Sequence, residues 1–409
     1  MRLKDIAYIN PAYTGPDLGD QLVSFSPMEC LRYDSLKPIT ISFSEAKGKY
    51  TFFQDNDILF AKVTPCFENQ NIAIANNLVN GIGFGSSEIN VLRLKSDVSL
   101  RYMFYVICSN QFYNTGCSSM CGVGGLKRIN PRAVSTFEFT MPSLAEQEAI
   151  AAYLDKECEK IGRKIELLES KADAYSRLRR SLINRAVTRG LDPNVSLKPS
   201  TIAFETEIPS HWEIRRIKSL FEERIEYSYT GNEDLLSVSE YYGIAKRADI
   251  IDNENISRSD SLEGYKRCYI GDIVSNIMLA WKGSLGMTNY NGIVSPAYGV
   301  YKPICKLNSR YYHYLFRTEL YKAIFKNHSR GIIDSRLRLY TPNFLALKTF
   351  YPPLSEQNEI AAYLDEKCAK IDAILEKINT EVERLKELKR SLINEVVTGQ
   401  RAIDTESRS

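Results

Sequence analysis

The sequence has few of the residues that metal centres and disulfide frameworks require. It contains only three histidines (His211, His313 and His328) and an odd, widely scattered set of nine cysteines. The one close cysteine pair, Cys117 and Cys121, has no second pair at zinc-ligand spacing. We therefore predict neither a metal site nor a set of disulfides in this chain.

Long apolar runs are lacking too. No stretch approaches the roughly 20 apolar residues that a membrane helix needs, and no signal-peptide core follows Met1. We therefore expect a cytoplasmic protein with no membrane contact. The composition, 44% apolar and 25% charged, is that of an ordinary globular protein, and 409 residues suggest more than one domain.

What the sequence does contain is an internal repeat. Residues 142–188 and 352–398 align without a gap at an offset of 210 residues, and 22 of the 47 positions are identical. Each copy opens with proline and serine, which favour the start of a helix, and each ends at a glycine, Gly190 or Gly399, where a helix C-cap is expected. The repeat therefore predicts two long, similar helices.

Within each predicted helix the apolar residues recur every three or four positions, as in the a/d seam of a coiled coil. The seam residues are Cys158, Ile161, Ile165, Leu168, Ala172 and Tyr175 in the first copy and Cys368, Ile371, Leu375, Ile378, Val382 and Leu385 in the second. The other faces are charged, so the simplest partner for each helix is the other one. A parallel pair would need the linker after Gly190 to recover about 60 Å, which about 22 residues barely span. We therefore expect an antiparallel coiled coil, a pseudo-twofold axis and two similar bodies at opposite ends of a rod.

The two bodies, residues 1–141 and 206–351, share a mixed α/β plan with a mainly antiparallel sheet. Strand-like runs alternate with turn signals in the first body, and a helical segment follows that carries Tyr102, Tyr105, Val106 and Phe112 on one face. Asp57-Ile58-Leu59 corresponds to Asp272-Ile273-Val274, and Lys127-Arg128-Ile129 corresponds to Leu337-Arg338-Leu339. The loops between these anchors differ, which is the pattern expected of bodies that read two different things.

Charge suggests what the bodies read. Residues 101–132 hold four basic residues and no acidic one, and residues 310–338 hold seven basic and two acidic ones, at the same place in the repeat. Tyrosine and asparagine are interleaved there, so these segments could bind phosphates, reach base edges and stack on bases. A solvated helix face followed by an exposed loop is the alternative for one patch alone. The repetition favours nucleic-acid binding.

These residues resemble the specificity (S) subunits of type I restriction-modification systems over essentially the whole chain. The shared motifs are the L-x-E-Q-x-x-I-A-x-Y-L-D element after Pro142 and Pro353, S-L-I-N-x-x-V-T at Ser181 and Ser391, NDILFAKVTP with GFGSSEINVL, and GDIVSNIMLAW with GIVSPAYGVY. One departure is that Ile208-Pro209-Ser210-His211-Trp212, which leads into the second body, has no counterpart before Arg2.

The resemblance implies an α/β (α+β) chain with two tandem target-recognition domains, each followed by a long spacer helix. We place target-recognition domain 1 at 1–141, the central spacer helix at 142–190, a linker at 191–205, target-recognition domain 2 at 206–351, the C-terminal spacer helix at 352–400 and a tail at 401–409. Double-stranded DNA, two methyltransferase subunits and restriction/translocase subunits are the implied partners. No cofactor is expected in this chain, and S-adenosylmethionine is expected only in the methyltransferase subunits.

Candidate DNA-binding residues were chosen from the basic patches and the strand ends beside them, because Arg and Lys suit guanine edges and phosphates and Asn and Gln suit adenine. They are Lys62, Thr64, Asn69, Gln70, Ser86, Lys127, Arg128 and Arg132 in the first body and Asn276, Trp281, Lys282, Arg330, Ser335, Arg336 and Arg338 in the second. Trp281 has apolar neighbours, so a core position is an equally good interpretation for it.

Two other functional classes were considered. Asn10-Pro11-Ala12-Tyr13 and Ser295-Pro296-Ala297-Tyr298 resemble the N-P-P-Y motif of DNA amino-methyltransferases, but both carry Ala in place of the second Pro. Gly81, Gly83 and Gly85 lie in a hairpin context that lacks the strand-turn-helix unit of a nucleotide-binding loop. A coiled-coil scaffold without DNA binding would leave the paired basic patches unexplained. We therefore predict a non-catalytic chain without a catalytic residue of its own.

Overall fold

The computed structural model describes residues 1–95, 97–123, 125–250 and 261–403, and it forms two compact units. The first unit comprises Met1–Glu169 and Asn379–Ser409, and the second comprises Ser170–Ile378. Each unit therefore contains one body and a part of both long helices. These limits differ from the predicted domain boundaries because each body packs on both helices, whereas the predicted boundaries followed the order of the chain.

The described residues form ten α-helices and 24 β-strands. The helices are α1 (Leu3–Ile6), α2 (Phe43–Ala46), α3 (Leu100–Cys108), α4 (Asn110–Ser118), α5 (Pro131–Ser135), α6 (Leu144–Arg189), α7 (Ser309–Phe316), α8 (Glu319–His328), α9 (Thr341–Ala346) and α10 (Leu354–Val397). The strands of the first unit are β1 (Ala7–Ile9), β2 (Leu22–Ser26), β3 (Leu31–Arg32), β4 (Ser35–Leu36), β5 (Ile39–Ser42), β6 (Thr51–Gln54), β7 (Ile58–Ala61), β8 (Ile72–Ile74), β9 (Ile82–Gly85), β10 (Ile89–Leu94), β11 (Cys121–Val123) and β12 (Leu126–Arg128). Those of the second unit are β13 (Leu197–Pro199), β14 (Glu207–Pro209), β15 (Glu213–Arg216), β16 (Phe221–Glu223), β17 (Leu236–Ser239), β18 (Gly243–Lys246), β19 (Lys266–Cys268), β20 (Ile273–Ser275), β21 (Leu285–Met287), β22 (Gly292–Val294), β23 (Gly299–Pro303) and β24 (Lys348–Tyr351).

The two bodies are built on the same four-stranded antiparallel sheet. Its strand order is β1-β10-β7-β8 in the first unit and β16-β23-β20-β21 in the second. In the two central strands of each sheet, Leu59 lies opposite Val91 and Val274 lies opposite Val300, and all four side chains are buried. The predicted correspondence of the two bodies, and the mixed α/β fold class, are confirmed.

The rest of each body differs. The first has a second sheet in the order β5-β2-β9-β6, in which β2 and β9 run parallel, whereas the second has the hairpin β17–β18 and the separate two-stranded pair β19–β22. The common sheet therefore carries different additions in the two units.

The single helical segment that we predicted around Tyr102 to Phe112 is two helices, α3 and α4. Ser109 ends the first and begins the second: its hydroxyl donates to Val106 O at 2.7 Å and accepts from Phe112 N at 3.2 Å. A serine that caps in this way competes with the helical backbone, which explains the break. The apolar face of both helices is buried as predicted.

In each unit α6 and α10 lie antiparallel. In the first unit Leu154 shares a core with Ile393, whereas Lys164, farther along α6, forms an ion pair of 2.9 Å with Glu381, which is earlier on α10. In the second unit, Val187 and Ile360 share a core in the same sense. All twelve predicted seam residues are buried or half-buried. The predicted antiparallel pairing of the two helices is confirmed within each unit.

A repeated polar clamp attaches each body to its long helix. In the first unit, Asp155 Oδ1 of α6 accepts from Arg101 Nε at 2.5 Å and from the Tyr105 hydroxyl at 2.6 Å. The Gln147 side chain accepts from Ser99 N at 2.9 Å and donates to Pro142 O at 2.9 Å. Gln147 and Tyr105 are buried. Burial, followed by the hydrogen bond to Asp155, raises the pKa of Tyr105, so the phenol stays protonated and donates.

The second unit repeats this clamp residue by residue. Asp365 Oδ1 accepts from Arg310 Nε at 2.8 Å and from the Tyr314 hydroxyl at 2.6 Å, and Gln357 accepts from Asn308 N at 2.9 Å. The glutamine and the aspartate belong to the motif that the two long helices share. The body of each unit therefore packs on the repeated helix segment through the same hydrogen bonds.

We expect Asp365→Ala to lower the free energy of unfolding by about 1–2 kcal/mol, because it removes the shared acceptor of a buried phenol and a half-buried guanidinium. Asp372→Ala is the matched control. Asp372 is on the same helix and forms only a solvent-exposed ion pair with Arg179, so its loss should cost about 0–1 kcal/mol. Urea denaturation measures both, and equal losses would contradict a special role for the clamp.

Candidate nucleic-acid interface

The candidate interface of the first unit is a β-hairpin that extends from the end of β7. Strands β11 and β12 form the hairpin, and its second strand continues the sheet beside β7: Ile129 N donates to Lys62 O and Thr64 N donates to Lys127 O, both at 2.9 Å. The buried Thr64 hydroxyl donates to Gly125 O at 2.7 Å and accepts from Lys127 N at 3.0 Å. Thr64 therefore holds the hairpin in place, and its hydroxyl hydrogen is already used.

Basic side chains stand along this hairpin. Lys127 is exposed, and Arg128 forms two hydrogen bonds of 2.8 Å with the Glu88 carboxylate. The hydrogen bonds from Arg128 lower the pKa of Glu88, so this carboxylate stays charged and orients the guanidinium. Arg132 is exposed in the first turn of α5, and no ion pair is recorded for it among the described residues. Lys127 and Arg132 are the cations best placed to meet phosphates.

The remaining first-unit candidates lie near the same strand end. The Ser86 hydroxyl accepts from Glu88 N at 3.2 Å, and Lys62 N donates to Glu88 O at 2.9 Å. The Gln70 side chain donates to Cys108 O at 3.2 Å, whereas Asn69 is exposed. Ser86 and Gln70 thus have local partners.

The second unit has a loop of similar form before α9. Arg330 and Arg338 exchange two backbone hydrogen bonds of 2.9 Å, which close residues 330–338 into a narrow loop. Arg336 is exposed, and Lys326 of α8 forms an ion pair of 3.0 Å with Asp334 in the middle of the loop. The side chain of Ser335 lies outside the described part of the structure. This loop occupies the place that the hairpin has in the first unit, as the alignment of Arg128 with Arg338 predicts.

The residues after β20 support this loop. Leu339 N donates to Ile277 O at 2.8 Å. The buried Asn276 side chain accepts from Met278 N at 3.1 Å, so it stabilises the turn that follows the strand. The structure therefore places Asn276 beneath the loop and not at its surface.

Trp281 has features of both interpretations. Its half-buried indole packs against the core, and its N–H donates to Met278 O at 3.2 Å. The ammonium groups of Lys282 and Lys326 lie 5.2 and 4.8 Å from its ring centroid. Trp281 therefore makes cation–π contacts with two lysines at the edge of the basic loop.

Arg317, which sequence reasoning missed, holds the neighbouring loops together. Its guanidinium donates to five backbone carbonyls, those of Ser239, Glu240, Tyr241, Gly283 and Leu285, at 2.9–3.1 Å. Burial, followed by the nearby Arg179 and Arg310, lowers the pKa of Arg317 to about 10, so it remains charged at neutral pH. Tyr241 and Tyr242 are exposed on the loop that it holds. In the sequence, only the pair Tyr241-Tyr242 marks this loop as a possible binding surface.

The predicted basic patches are shorter than expected. Arg101 and Arg310, which open them, bind Asp155 and Asp365 of the long helices. The sequence alone does not distinguish an arginine that binds a long helix from an arginine that is exposed, so both belong to the predicted patches.

Asn10, from the first N-P-P-Y-like segment, and the aligned residues Asp57 and Asp272 all have partners within the fold. Asn10 accepts from Val91 N at 2.8 Å and donates to Asn90 at 3.1 Å. Asp57 and Asp272, at the starts of β7 and β20, form ion pairs of 2.7 and 2.8 Å with Arg93 and Arg224. Within the described ranges, no group of three or more His, Cys, Asp or Glu residues could hold a metal ion, and none of the helices described is long and apolar enough to span a membrane.

One family model matches the chain twice, and each match covers one body and part of the long helix that follows it. Residues 4–169 and 209–384 match the family model described as the type I restriction modification DNA specificity domain. The type I restriction enzyme EcoEI specificity subunit of Escherichia coli is 36% identical over 158 residues, which are 38% of this chain and 26% of that protein. The match thus spans about a quarter of the length of this curated relative.

Two solved structures have a similar fold over nearly the whole chain. A chain from a study of complex assembly and conformational transition of the type I R-M system has a TM-score of 0.73 and 16% identity, and the match covers 98% of this chain and 97% of that one. The HsdS subunit from Thermoanaerobacter tengcongensis has a TM-score of 0.52 and 17% identity, with coverages of 98% and 96%. At these identities the likeness concerns the fold alone.

We expect Arg317→Met to lower the free energy of unfolding by about 2–3 kcal/mol, because five carbonyls lose a charged donor at once. Arg215→Met is the control, since Arg215 is half-exposed and forms an ion pair only with Glu213; its loss should cost less than about 1 kcal/mol. Urea denaturation distinguishes the two, and a loss at Arg317 no larger than at Arg215 would show that the carbonyls are satisfied by water instead.

Proposed function

The chain belongs to the family defined by the type I restriction modification DNA specificity domain, and on this basis we propose that it is the DNA sequence-recognition subunit of a type I restriction-modification complex. The observation that carries the proposal is the basic hairpin or loop that stands at the same place in both units. The hairpin of the first unit carries Lys127, with Arg132 close behind it in α5, and the loop of the second carries Arg330 and Arg336, all with exposed side chains. Cations in such positions neutralise phosphates and reach guanine edges.

Each unit would read one half of an asymmetric, bipartite target. The units share the central sheet and the clamp, but their second layers and loops differ. A common frame with different loops presents different side chains to DNA in the same orientation, so two different half-sites are expected. A scaffold without DNA binding would not account for the repeated basic loops.

The proposal assigns the chemistry to other subunits. Two methyltransferase subunits would dock on the long helices and bind S-adenosylmethionine, and restriction/translocase subunits would complete the assembly in the cytoplasm. The chain itself would transfer no methyl group and cut no DNA.

Division of labour between the units is the first test. Arg336→Ala should weaken reading of one half-site by about 1–3 kcal/mol, the value of a lost bidentate contact to guanine, and leave the other half-site unaffected. Lys127→Ala should affect only the other half-site, with a smaller loss and a weaker salt dependence. Binding is measured on bipartite duplexes with one half-site scrambled at a time.

The matched control is Arg216→Ala, because Arg216 is an exposed arginine of the second unit at the end of β15, outside the basic loop. It should leave both half-sites unchanged. Equal weakening of both half-sites by Arg336→Ala would show that this residue contacts phosphates without regard to sequence.

The length of the long helices is the second test. Inserting one heptad after Leu168 and one after Ile378, at the boundary between the two units, keeps the seam in phase and adds about 10 Å of helix between them. At about 3.4 Å per base pair this corresponds to roughly three base pairs. The unread gap between the half-sites should therefore lengthen.

Three base pairs also rotate the second half-site by about 100° around the duplex, so the lengthened protein would have to bend or twist its DNA. The expected result is loss of binding at the original spacing, with any recovered binding at a longer gap. Selection from a duplex library that varies only the gap length measures this. Retention of the original gap at full affinity would show that the helices do not set the spacing.

A further inference from the structure

We propose that the aliphatic tip of each basic loop contacts thymine methyl groups in the major groove, so that part of the recognition depends on a methyl group. This inference rests on the proposed function and deepens it. The first tip is Val123 with Leu126, and the second tip is Ile332 with Ile333. Among the described residues, none of these four side chains belongs to a hydrophobic core cluster.

The four side chains are unusually exposed for their type. Val123 and Leu126 are 89% and 57% exposed, and Ile332 and Ile333 are 100% and 54% exposed. Single exposed apolar residues are common on protein surfaces and need no explanation. Here, however, two adjacent aliphatic side chains occur at the tip of the equivalent loop in both units.

Both tips are held in position by their own loops. Val123 lies directly opposite Leu126 across the hairpin, so the two side chains form one small apolar surface. Gly122 has φ +148° and Gly331 has φ +153°, and a Cβ at either residue would collide with backbone across the loop. In both loops, therefore, a glycine with positive φ precedes the tip and fixes the backbone there.

The charges around the tips point to DNA as the partner. Lys127 and Arg128 flank the first tip, and Arg330 and Arg336 flank the second. A membrane or an apolar protein groove would have to desolvate these cations, whereas a duplex surrounds an apolar contact with phosphates. The major groove admits a two-stranded ribbon such as β11–β12, and thymine is the base that offers a methyl group there.

Replacement of thymine by deoxyuridine tests the proposal directly, because it removes the methyl group and keeps every hydrogen-bonding atom. The full chain is first given a duplex library to define its bipartite target, and each thymine of that target is then replaced in turn. We expect at least one position in each half-site at which the change weakens binding about fourfold, the factor that burial of one methyl group supplies.

Variants of the tips then assign each effect to its side chain. Leu126→Ser should weaken binding and abolish the difference between thymine and uracil in one half-site, and Ile332→Ser should do so in the other, because serine has no methyl group to contact thymine. Both side chains are exposed and pack against no core, so these substitutions should leave the fold intact.

Two matched controls have similar exposure. Leu22 is 54% exposed at the start of β2, and Ile304 is 47% exposed just after β23. Strand pairing places both far from the basic loops: β2 runs parallel to β9 and starts at the end away from Ser86, and β23 ends beside the start of β20, away from Asn276. Leu22→Ser and Ile304→Ser should leave the thymine preference unchanged.

The outcomes separate this inference from the function on which it rests. Absence of sequence-specific DNA binding would overturn the proposed function. Specific binding that no uracil substitution weakens, or a thymine preference that survives Leu126→Ser or Ile332→Ser, would overturn the assignment of that tip while leaving the function intact. Binding of the tips to lipid vesicles or to protein, with no effect of the variants on DNA, would overturn it as well.

Discussion

Each recognition body is attached to a long helix by one aspartate that accepts hydrogen bonds from an arginine and a tyrosine of the body. Asp155 does this in the first unit and Asp365 in the second, and the buried Gln147 and Gln357 complete the attachment. This attachment is geometrically demanding, because a buried amide or phenol without a hydrogen-bond partner would destabilise the fold. The position of each basic loop relative to its long helix depends on this attachment, since the loop and the clamp belong to the same body.

The same constraint explains why the repeat is conserved within this chain along the helices and not in the bodies. Both helices must offer the same clamp and pack against each other through one seam, so their residues are doubly constrained. Each body, in contrast, must keep only the central sheet and the tyrosine and arginine that meet the clamp. Its loops are free to differ, and they do: the first unit has the hairpin β11–β12 where the second has the loop 330–338.

The interface itself is organised in two layers. Thr64, Asn276 and Arg317 use their polar groups on backbone atoms and so fix the shape of the loops. Lys127, Arg132 and Arg336 extend beyond them into solvent. A supporting layer with its hydrogen bonds already made lowers the entropy cost of binding a ligand, because the loop backbone does not have to be ordered on binding.

The sequence by itself determined the two long helices, their seam, the duplicated sheet and the family. These features have short periods or direct repetition, such as the spacing of Cys158, Ile161, Ile165 and Leu168, and both signals are local. Tertiary structure alone decided which polar residues are free to meet a ligand. Arg101 and Lys127 belong to the same basic segment, yet one is bound to Asp155, more than fifty residues away, and the other is exposed. The break at Ser109 and the five carbonyls around Arg317 were likewise out of reach of the sequence. The physical reason is that a hydrogen-bond partner is defined by proximity in the folded chain, whereas a sequence pattern records only which residue types occur and at what spacing.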